Sequence, residues 1–223
     1  MTINNTELEG IIKKLPKTPD IQGRQNFFNS AVIVPFIEID HNIHLLFEKR
    51  SANIRQASEI CFPGGKHDSD TDDSYQDTAI RETVEEIGIQ ENQINVLGRL
   101  NTLITPMGVI VETFPALITI DSLEALNINK QEVEKVFTIP IATFQSTSPD
   151  LYHVRVEIQP TILDQNGDSQ TLFPAQKLGL PEKYHQPWGG NKMRVLVYKT
   201  EYETIWGITA EIIHNLIQLL NKK

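Results

Sequence analysis

The chain has very little cysteine and no long hydrophobic run. Cys61 is the only cysteine among 223 residues, so no disulfide can form within the chain, and this fits a reducing compartment. No stretch approaches the roughly 20 apolar residues of a membrane-spanning helix. The first residues also lack the apolar centre of a signal peptide. We therefore expect a cytoplasmic protein that does not act at a membrane.

The chain has fewer basic than acidic side chains. The 20 lysines and arginines are outnumbered by 29 aspartates and glutamates, which gives a net charge of -9. Sequence-independent binding of nucleic acid needs a basic surface, so we expect no nucleic-acid partner. An acidic chain that acts on an anionic substrate needs metal ions or a local basic patch to offset the repulsion.

The order of patterns along the chain predicts an α+β protein. Residues 1–28 are expected to form an extension with a short helix and a linker, and residues 29–223 a single domain. Within the domain we expect an irregular insertion at about 145–192, whose end, 174–192, has the proline and glycine content of a long loop. Strands and helices mix without regular alternation, which favours a mixed sheet flanked by helices. The smaller expectations are hairpins at 31–48 and 151–173, a helical turn at 131–135, and helices at 78–87 and 209–220.

Three carboxylates share one face of the helix predicted before Gly88. Glu82, Glu85 and Glu86 stand at positions i, i+3 and i+4. They repel one another unless solvent or a cation offsets their charge, and oxygen ligands favour Mg²⁺ or Mn²⁺. A solvated helix face is the alternative explanation of this pattern. Its surroundings favour the metal, because Gly64-Gly65 follows a short strand where backbone N–H groups can approach a phosphate, and Arg81 can brace the carboxylates.

The stretch from Gly64 to Ile89 resembles the Nudix box, the signature of the Nudix hydrolases. The box has a glycine, a later glutamate, and then an Arg-Glu-hydrophobe-any-Glu-Glu-any-Gly-hydrophobe segment. That last segment matches at Arg81, Glu82, Glu85, Glu86, Gly88 and Ile89, with Thr83 in place of the hydrophobe. The first half is longer than the family pattern. The family spacing, counted back from Arg81, places Asp73 where a glutamate is expected. The resemblance implies the Nudix fold, a mixed β-sheet sandwiched between helices.

Residues upstream of the box are similar to those of the coenzyme A pyrophosphatase branch of this family. Leu45-Leu46-Phe47-Glu48-Lys49-Arg50-Ser51 leads through Arg55 to Phe62-Pro63-Gly64-Gly65, as in that branch. The resemblance implies a coenzyme A-like nucleoside diphosphate as substrate. Arginine side chains suit phosphate recognition. The expected substrate-binding residues are Arg50, Arg55, Gly64, Gly65 and Lys66.

The activity implied by the resemblance is hydrolysis of the diphosphate bond of coenzyme A or its acyl derivatives, with Mg²⁺ or Mn²⁺ as cofactor. The products would be 4′-phosphopantetheine, or its acyl form, and adenosine 3′,5′-bisphosphate. Glu82, Glu85 and Glu86 are the expected metal ligands, and Glu85, Glu86 and Arg81 the expected catalytic residues. Glu85 or Glu86 could serve as the general base, and a glutamate from a mobile loop is the alternative. Two alternatives stay open, a Nudix diphosphatase for ADP-ribose or another nucleoside diphosphate derivative, and a non-catalytic nucleotide sensor. A homodimer is also left open as an assembly.

Overall fold

The computed structural model describes residues 5–18, 20–53 and 56–222. The helices are α1 (Asn5–Lys14), α2 (Tyr75–Ile87), α3 (Ile141–Ser146) and α4 (Gly207–Leu220). The strands are β1 (Phe28–Ile39), β2 (Asn42–Arg50), β3 (Ile60–Cys61), β4 (Gly64–Lys66), β5 (Ile94–Val96), β6 (Leu103–Ile104), β7 (Val109–Ile118), β8 (Val133–Pro140), β9 (Asp150–Ile158), β10 (Thr161–Leu163), β11 (Ser169–Thr171), β12 (Trp188–Lys199) and β13 (Thr204–Trp206).

The main sheet is mixed and has eight strands. Its central path runs β3-β2-β1-β7-β5, while β4, β6 and β8 pair at the sides with β1, β7 and β2. Strands β1 and β7 are parallel, and the other pairs are antiparallel. The hairpin predicted at 31–48 is confirmed as β1 and β2.

Helices cover both faces of this sheet. Ala31 and Ile33 of β1 pack with Ala79 and Ile87 of α2 in one core. Val34 packs instead into a second core with residues of α4. Successive side chains of a strand point to opposite faces, so one strand contributes to both cores. The predicted α+β class and the layered arrangement are confirmed.

A gap opens inside the sheet where β1 and β2 diverge. The two strands pair only between residues 36–39 and 42–45, close to their turn. Beyond that point β3 pairs with β2, and β4 pairs with β1 at Ser30, Ala31 and Val32. The N–H of Ile33 donates to the carbonyl of Pro63 at 2.9 Å. The segment that carries Gly64 and Gly65 is therefore fixed in the middle of the sheet, beneath α2.

The region expected to hold an irregular insertion contains more strand than the sequence indicates. β9, β12 and β13 form a three-stranded sheet, and β10 and β11 form a hairpin across Asn166-Gly167. The predicted loop at 174–192 ends early, at Trp188, because the Gly-rich start of β12 pairs with β9 across a bulge between Gly189 and Asn191.

The prediction of a helical turn at 131–135 is wrong, since β8 begins at Val133 and pairs with β2. The division into extension, domain and insertion stays a prediction.

Candidate active site

Helix α2 is defined at both ends by its own residues. The Ser74 side chain accepts a hydrogen bond from the N–H of Asp77, and Gly88 closes the helix in the left-handed conformation with φ 72°. The helix thus begins earlier than the predicted Thr78. Thr83, which replaces the usual hydrophobe, is buried and donates its hydroxyl to the Ala79 carbonyl at 2.6 Å, so its polar atom is satisfied.

The two glycines allow the carboxylates of α2 to approach β4. The N–H of Gly64 donates to Glu86 Oε2 at 2.8 Å. A Cβ atom on Gly65 would overlap the Glu82 carboxyl group. Both expected substrate-binding glycines therefore contact the carboxylate helix, and the Gly64 amide is already used by Glu86.

Asp72 anchors the box arginine. Arg81 donates from Nε to Asp72 Oδ1 at 2.8 Å and from Nη2 to Oδ2 at 3.1 Å. Oδ2 also accepts from the Thr78 hydroxyl at 2.8 Å and from the Asp68 N–H at 3.1 Å. These donors, the Arg81 guanidinium first, hold the pKa of the Asp72 carboxyl well below its usual range. The family spacing points to Asp73 instead, which is exposed.

The remaining guanidinium nitrogen of Arg81 faces the helix carboxylates. Arg81 Nη1 lies 3.0 Å from Glu82 Oε1 and 3.2 Å from Glu85 Oε2. Arg81 thus braces two of the three predicted metal ligands while Asp72 holds its other edge. Glu85 is the most exposed of the three, with 56% of its side chain accessible, whereas Glu86 is buried.

Glu48 of β2 is a buried carboxylate that the sequence analysis missed. It is 0% exposed, and its Oε1 accepts a hydrogen bond from the Cys61 thiol at 3.1 Å. Arg50 Nη1 lies 3.9 Å from the same oxygen. Oε2 has no hydrogen-bond partner within the described part of the chain. Burial raises the pKa of both Glu48 and Glu86, and the charge of Glu48 raises the pKa of Glu86 further.

The other predicted substrate-binding residues, Arg50, Lys66 and Arg55, differ in where they lie relative to the carboxylates. Arg50 lies beside Glu48; burial acts to lower the pKa of Arg50, but Cys61, Glu86 and Glu48 together raise it above its usual value. Lys66 is exposed at the end of β4. Arg55 lies outside the described residues. Glu132, another exposed residue that sequence reasoning missed, is near enough to raise the pKa of Glu82 and Glu48.

The donor set suits a hard divalent cation. Glu82, Glu85, Glu86 and Glu48 offer only oxygen, which Mg²⁺ and Mn²⁺ prefer. The unpartnered Oε2 of Glu48 lies near the buried Glu86 carboxyl group, and a cation there would be stabilised by both carboxylates. Within residues 5–18, 20–53 and 56–222, no three His, Cys, Asp or Glu side chains are already gathered around one point. Two of the carboxylates face Arg81 instead.

The sheet, the helix and the carboxylate cluster define a class of protein that the comparisons confirm. The model of the NUDIX domain matches residues 28–153. The chain belongs to the NUDIX family and is a Nudix hydrolase with the Nudix fold. Nudix hydrolases generally use divalent metal ions and act on small nucleoside diphosphate compounds.

Three curated relatives show which Nudix hydrolases this chain is similar to. The chain is 31% identical over 164 residues to "Peroxisomal coenzyme A diphosphatase NUDT7" of Mus musculus, covering 68% of this chain and 63% of that protein. It is 31% identical over 191 residues to the "Uncharacterized Nudix hydrolase NudL" of Photorhabdus laumondii, covering 85% and 83%. It is 28% identical over 199 residues to "Nudix hydrolase 3" of Caenorhabditis elegans, covering 86% and 74%.

Solved structures add no argument of their own. An Ap4A hydrolase binary complex from C. elegans matches at a TM-score of 0.42 and 19% identity, over 52% of this chain and 81% of that one. A MutT/nudix family protein from Enterococcus faecalis matches at a TM-score of 0.45 and 15% identity, over 98% and 70%. The family assignment therefore rests on the family model and the curated relatives.

Within the described residues, no helix is both long and apolar enough to span a membrane.

Proposed function

We propose that the chain hydrolyses the diphosphate bond of coenzyme A or its acyl derivatives, in the presence of Mg²⁺ or Mn²⁺. The main support for coenzyme A as the substrate is the 31% identity to the mouse coenzyme A diphosphatase over 68% of the chain. The geometry supports it through Arg50, a cation at the end of β2 beside the buried carboxylates. The products are 4′-phosphopantetheine, or its acyl form, and adenosine 3′,5′-bisphosphate.

Glu82, Glu85 and Glu86 would hold the divalent cation. When bound, it neutralises charge on the phosphates and makes water a better nucleophile. Arg81, fixed by Asp72, keeps Glu82 and Glu85 on one side of α2. The Gly64 N–H orients Glu86 towards β4.

A carboxylate of α2 takes the proton from the attacking water. Water adds to one phosphorus of the diphosphate, the bridging P–O bond breaks, and the two products leave as phosphate monoesters. Glu85 is accessible to solvent, while Glu86 is buried with a raised pKa. A general base must lie within hydrogen-bond reach of the water. Glu85 or Glu86 fills this role, and an accessible carboxylate also returns the proton to solvent readily.

Positive charge near the carboxylates recognises the substrate phosphates. Arg50 and Arg55 are the proposed fork for phosphate groups, and Lys66 lies exposed at the end of β4 beside the two glycines. Gly64 and Gly65 act through the carboxylates they hold, because the Gly64 N–H bonds Glu86 and the missing side chain of Gly65 makes room for the Glu82 carboxyl group. Together these residues supply the local basic patch that an acidic chain needs for an anionic substrate.

A substrate panel tests the proposal. Coenzyme A, acyl-coenzyme A, ADP-ribose, NADH and diadenosine polyphosphates are compared with Mg²⁺ and with Mn²⁺, and products are identified by mass. We expect the highest kcat/KM for coenzyme A or an acyl form, with 4′-phosphopantetheine or its acyl form released. A higher kcat/KM for ADP-ribose or a dinucleotide would contradict the proposed substrate and favour the alternative diphosphatase activity. Binding without turnover of any compound would favour the nucleotide sensor.

Replacement of Glu86 by Gln tests the metal role. We expect E86Q to lose at least about 100-fold in metal-dependent kcat, in line with the loss of a catalytic electrostatic group, with its circular dichroism unchanged. Glu38, an exposed glutamate of β1, gives the matched control E38Q. Wild-type turnover in E86Q would remove Glu86 from the metal site.

A further inference from the structure

Glu48 carries a carboxylate oxygen that the described part of the chain leaves unsatisfied. The side chain is 0% exposed, and Oε2 has no hydrogen-bond partner there. A buried carboxylate oxygen without a partner destabilises the folded state unless a proton, a donor or a cation compensates it. Glu48 at this position therefore destabilises the fold unless Oε2 has a ligand.

The neighbours of Glu48 fix its first oxygen and cannot satisfy the second. The Cys61 thiol donates to Oε1 at 3.1 Å, and the Arg50 ion pair is also measured to Oε1, at 3.9 Å. Glu86 lies on the other side, but its own Oε2 already accepts from Gly64. While both carboxylates are ionised they are acceptors only, so a proton or a cation must lie between them. A cation between them can bind both.

The strand register explains why Glu48 faces α2. Leu46 packs in the core that contains Ala79 and Ile87 of α2. Glu48 is two residues further along the same strand, so its side chain leaves the sheet on the same face. Glu86 approaches that face from α2 and reaches as far as the Gly64 N–H. The two glutamates therefore meet from opposite sides of one buried space.

The chemistry of this space favours a hard divalent ion over a soft one. The ligand atoms of Glu48 and Glu86 are carboxylate oxygens, and the Cys61 sulfur acts as a proton donor to Glu48. Zinc sites built on cysteine require a thiolate, whereas Mg²⁺ and Mn²⁺ take carboxylate oxygen and water. The geometry points to Glu48 as a further ligand of the divalent cation, bound through Oε2 and shared with Glu86. This inference rests on the proposed function, since Glu86 is the common ligand.

In this arrangement Cys61 and Arg50 are positioning residues. By engaging Oε1, they leave Oε2 as the oxygen available to the ion. The proposal also explains why a charged residue stands in a strand whose neighbours Leu46 and Phe47 are fully buried.

The test measures metal binding without substrate. Mn²⁺ affinity is determined by isothermal titration calorimetry and by the electron paramagnetic resonance signal of free Mn²⁺. The proteins are the wild type, E48Q, E86Q and the control E38Q. We expect E48Q and E86Q to bind Mn²⁺ at least about 10-fold more weakly, which corresponds to 1.4 kcal/mol. We expect E38Q to stay within about twofold of the wild type, since Glu38 is exposed near the β1–β2 turn.

The outcomes separate this inference from the proposed function. Wild-type affinity in E48Q with weakened binding in E86Q would overturn the role of Glu48 and leave the metal site of α2 intact. Wild-type affinity in both variants would overturn the metal site itself. Thermal unfolding with and without Mn²⁺ checks the fold. We expect E48Q to keep its midpoint without metal, because Gln removes a buried charge, and to gain less from Mn²⁺ than the wild type.

A second variant covers failure of E48Q to fold. Glu48→Asp keeps the negative charge but shortens the side chain by one methylene, which withdraws the carboxylate from Glu86. We expect at least about 10-fold weaker Mn²⁺ binding in E48D. Binding within about twofold of the wild type would overturn the inference.

Discussion

Replacing Asp72 by Asn should destabilise the protein more than any other change in the aspartate-rich loop. The Asp72 side chain is 2% exposed and accepts two hydrogen bonds from Arg81, one from Thr78 and one from the Asp68 N–H. Hydrogen bonds to charged groups contribute about 1.5–3 kcal/mol each. Asn keeps one acceptor oxygen but turns an NH₂ group towards these donors. We therefore expect D72N to lose about 3 kcal/mol of unfolding free energy.

The assay is thermal and urea unfolding at pH 7. For a chain of this size, about 3 kcal/mol corresponds to a fall in Tm of roughly 6–12 °C. Asp73 is the adjacent, exposed aspartate, and the family spacing assigns it the glutamate position. D73N is therefore the matched control, and we expect it to stay within about 0.5 kcal/mol of the wild type. Equal losses in the two variants, or no loss in D72N, would refute the assignment of the anchor to Asp72.

The pH dependence of the D72N effect follows from the lowered pKa of Asp72. Because the folded carboxyl has a lower pKa than the unfolded one, its stabilisation is fully present above the unfolded pKa of about 3.9. It is lost as pH falls towards the folded pKa. The stability gap between wild type and D72N should therefore be constant from pH 7 to about 5 and narrow below about 4. Urea unfolding at each pH measures it, and a gap that widens on acidification would contradict the mechanism.

Other substitutions separate local strain from site chemistry. G65A should retain the fold, since the group it displaces is the end of the flexible Glu82 side chain, yet it should weaken Mn²⁺ binding several-fold by calorimetry. G64A should cost at least about 2 kcal/mol in urea unfolding, because its Cβ would meet the Ala31 carbonyl and its φ is 147°; wild-type stability would contradict this. R24A should cost about 2 kcal/mol, because Arg24 bonds the buried Glu112 at 2.8 Å. R155A, at an exposed ion pair of β9, should cost under about 1 kcal/mol, and an equal loss would argue against the Glu112 anchor.

The end of α2 could be predicted from the sequence because its information is local. Arg81, Glu82, Glu85 and Glu86 lie within two helical turns, and Gly88 ends the helix where the pattern predicts. Helical periodicity alone places the carboxylates together. The layered α+β arrangement follows from the same kind of local pattern, since strand alternation and helix amphipathicity define which faces are apolar.

The anchor of Arg81 could not be predicted because it depends on the path of a loop. Asp72 and Asp73 have the same chemistry and differ by one position. Only the turn at Asp68, whose N–H bonds Asp72 Oδ2, decides which of them is buried. The family spacing fails because the loop is longer than the general pattern.

Glu48 was missed for a different reason. It stands in a strand far upstream of the box, and its partner Glu86 reaches it only after α2 has packed on the sheet. Strand alternation places Glu48 on the face of Leu46, but the sequence does not say which helix covers that face. A charged residue among buried neighbours was the one available signal.

The gap between β1 and β2 gives the backbone two amides that report on different events. The Ile33 amide bonds the Pro63 carbonyl within the sheet, so its exchange with solvent deuterium requires the strands to separate. The neighbouring Gly64 amide depends on a side chain, Glu86. A rotation of that one carboxylate exposes the Gly64 amide while leaving Ile33 protected. The ratio of the two exchange rates therefore distinguishes movement of the Glu86 side chain from opening of the sheet.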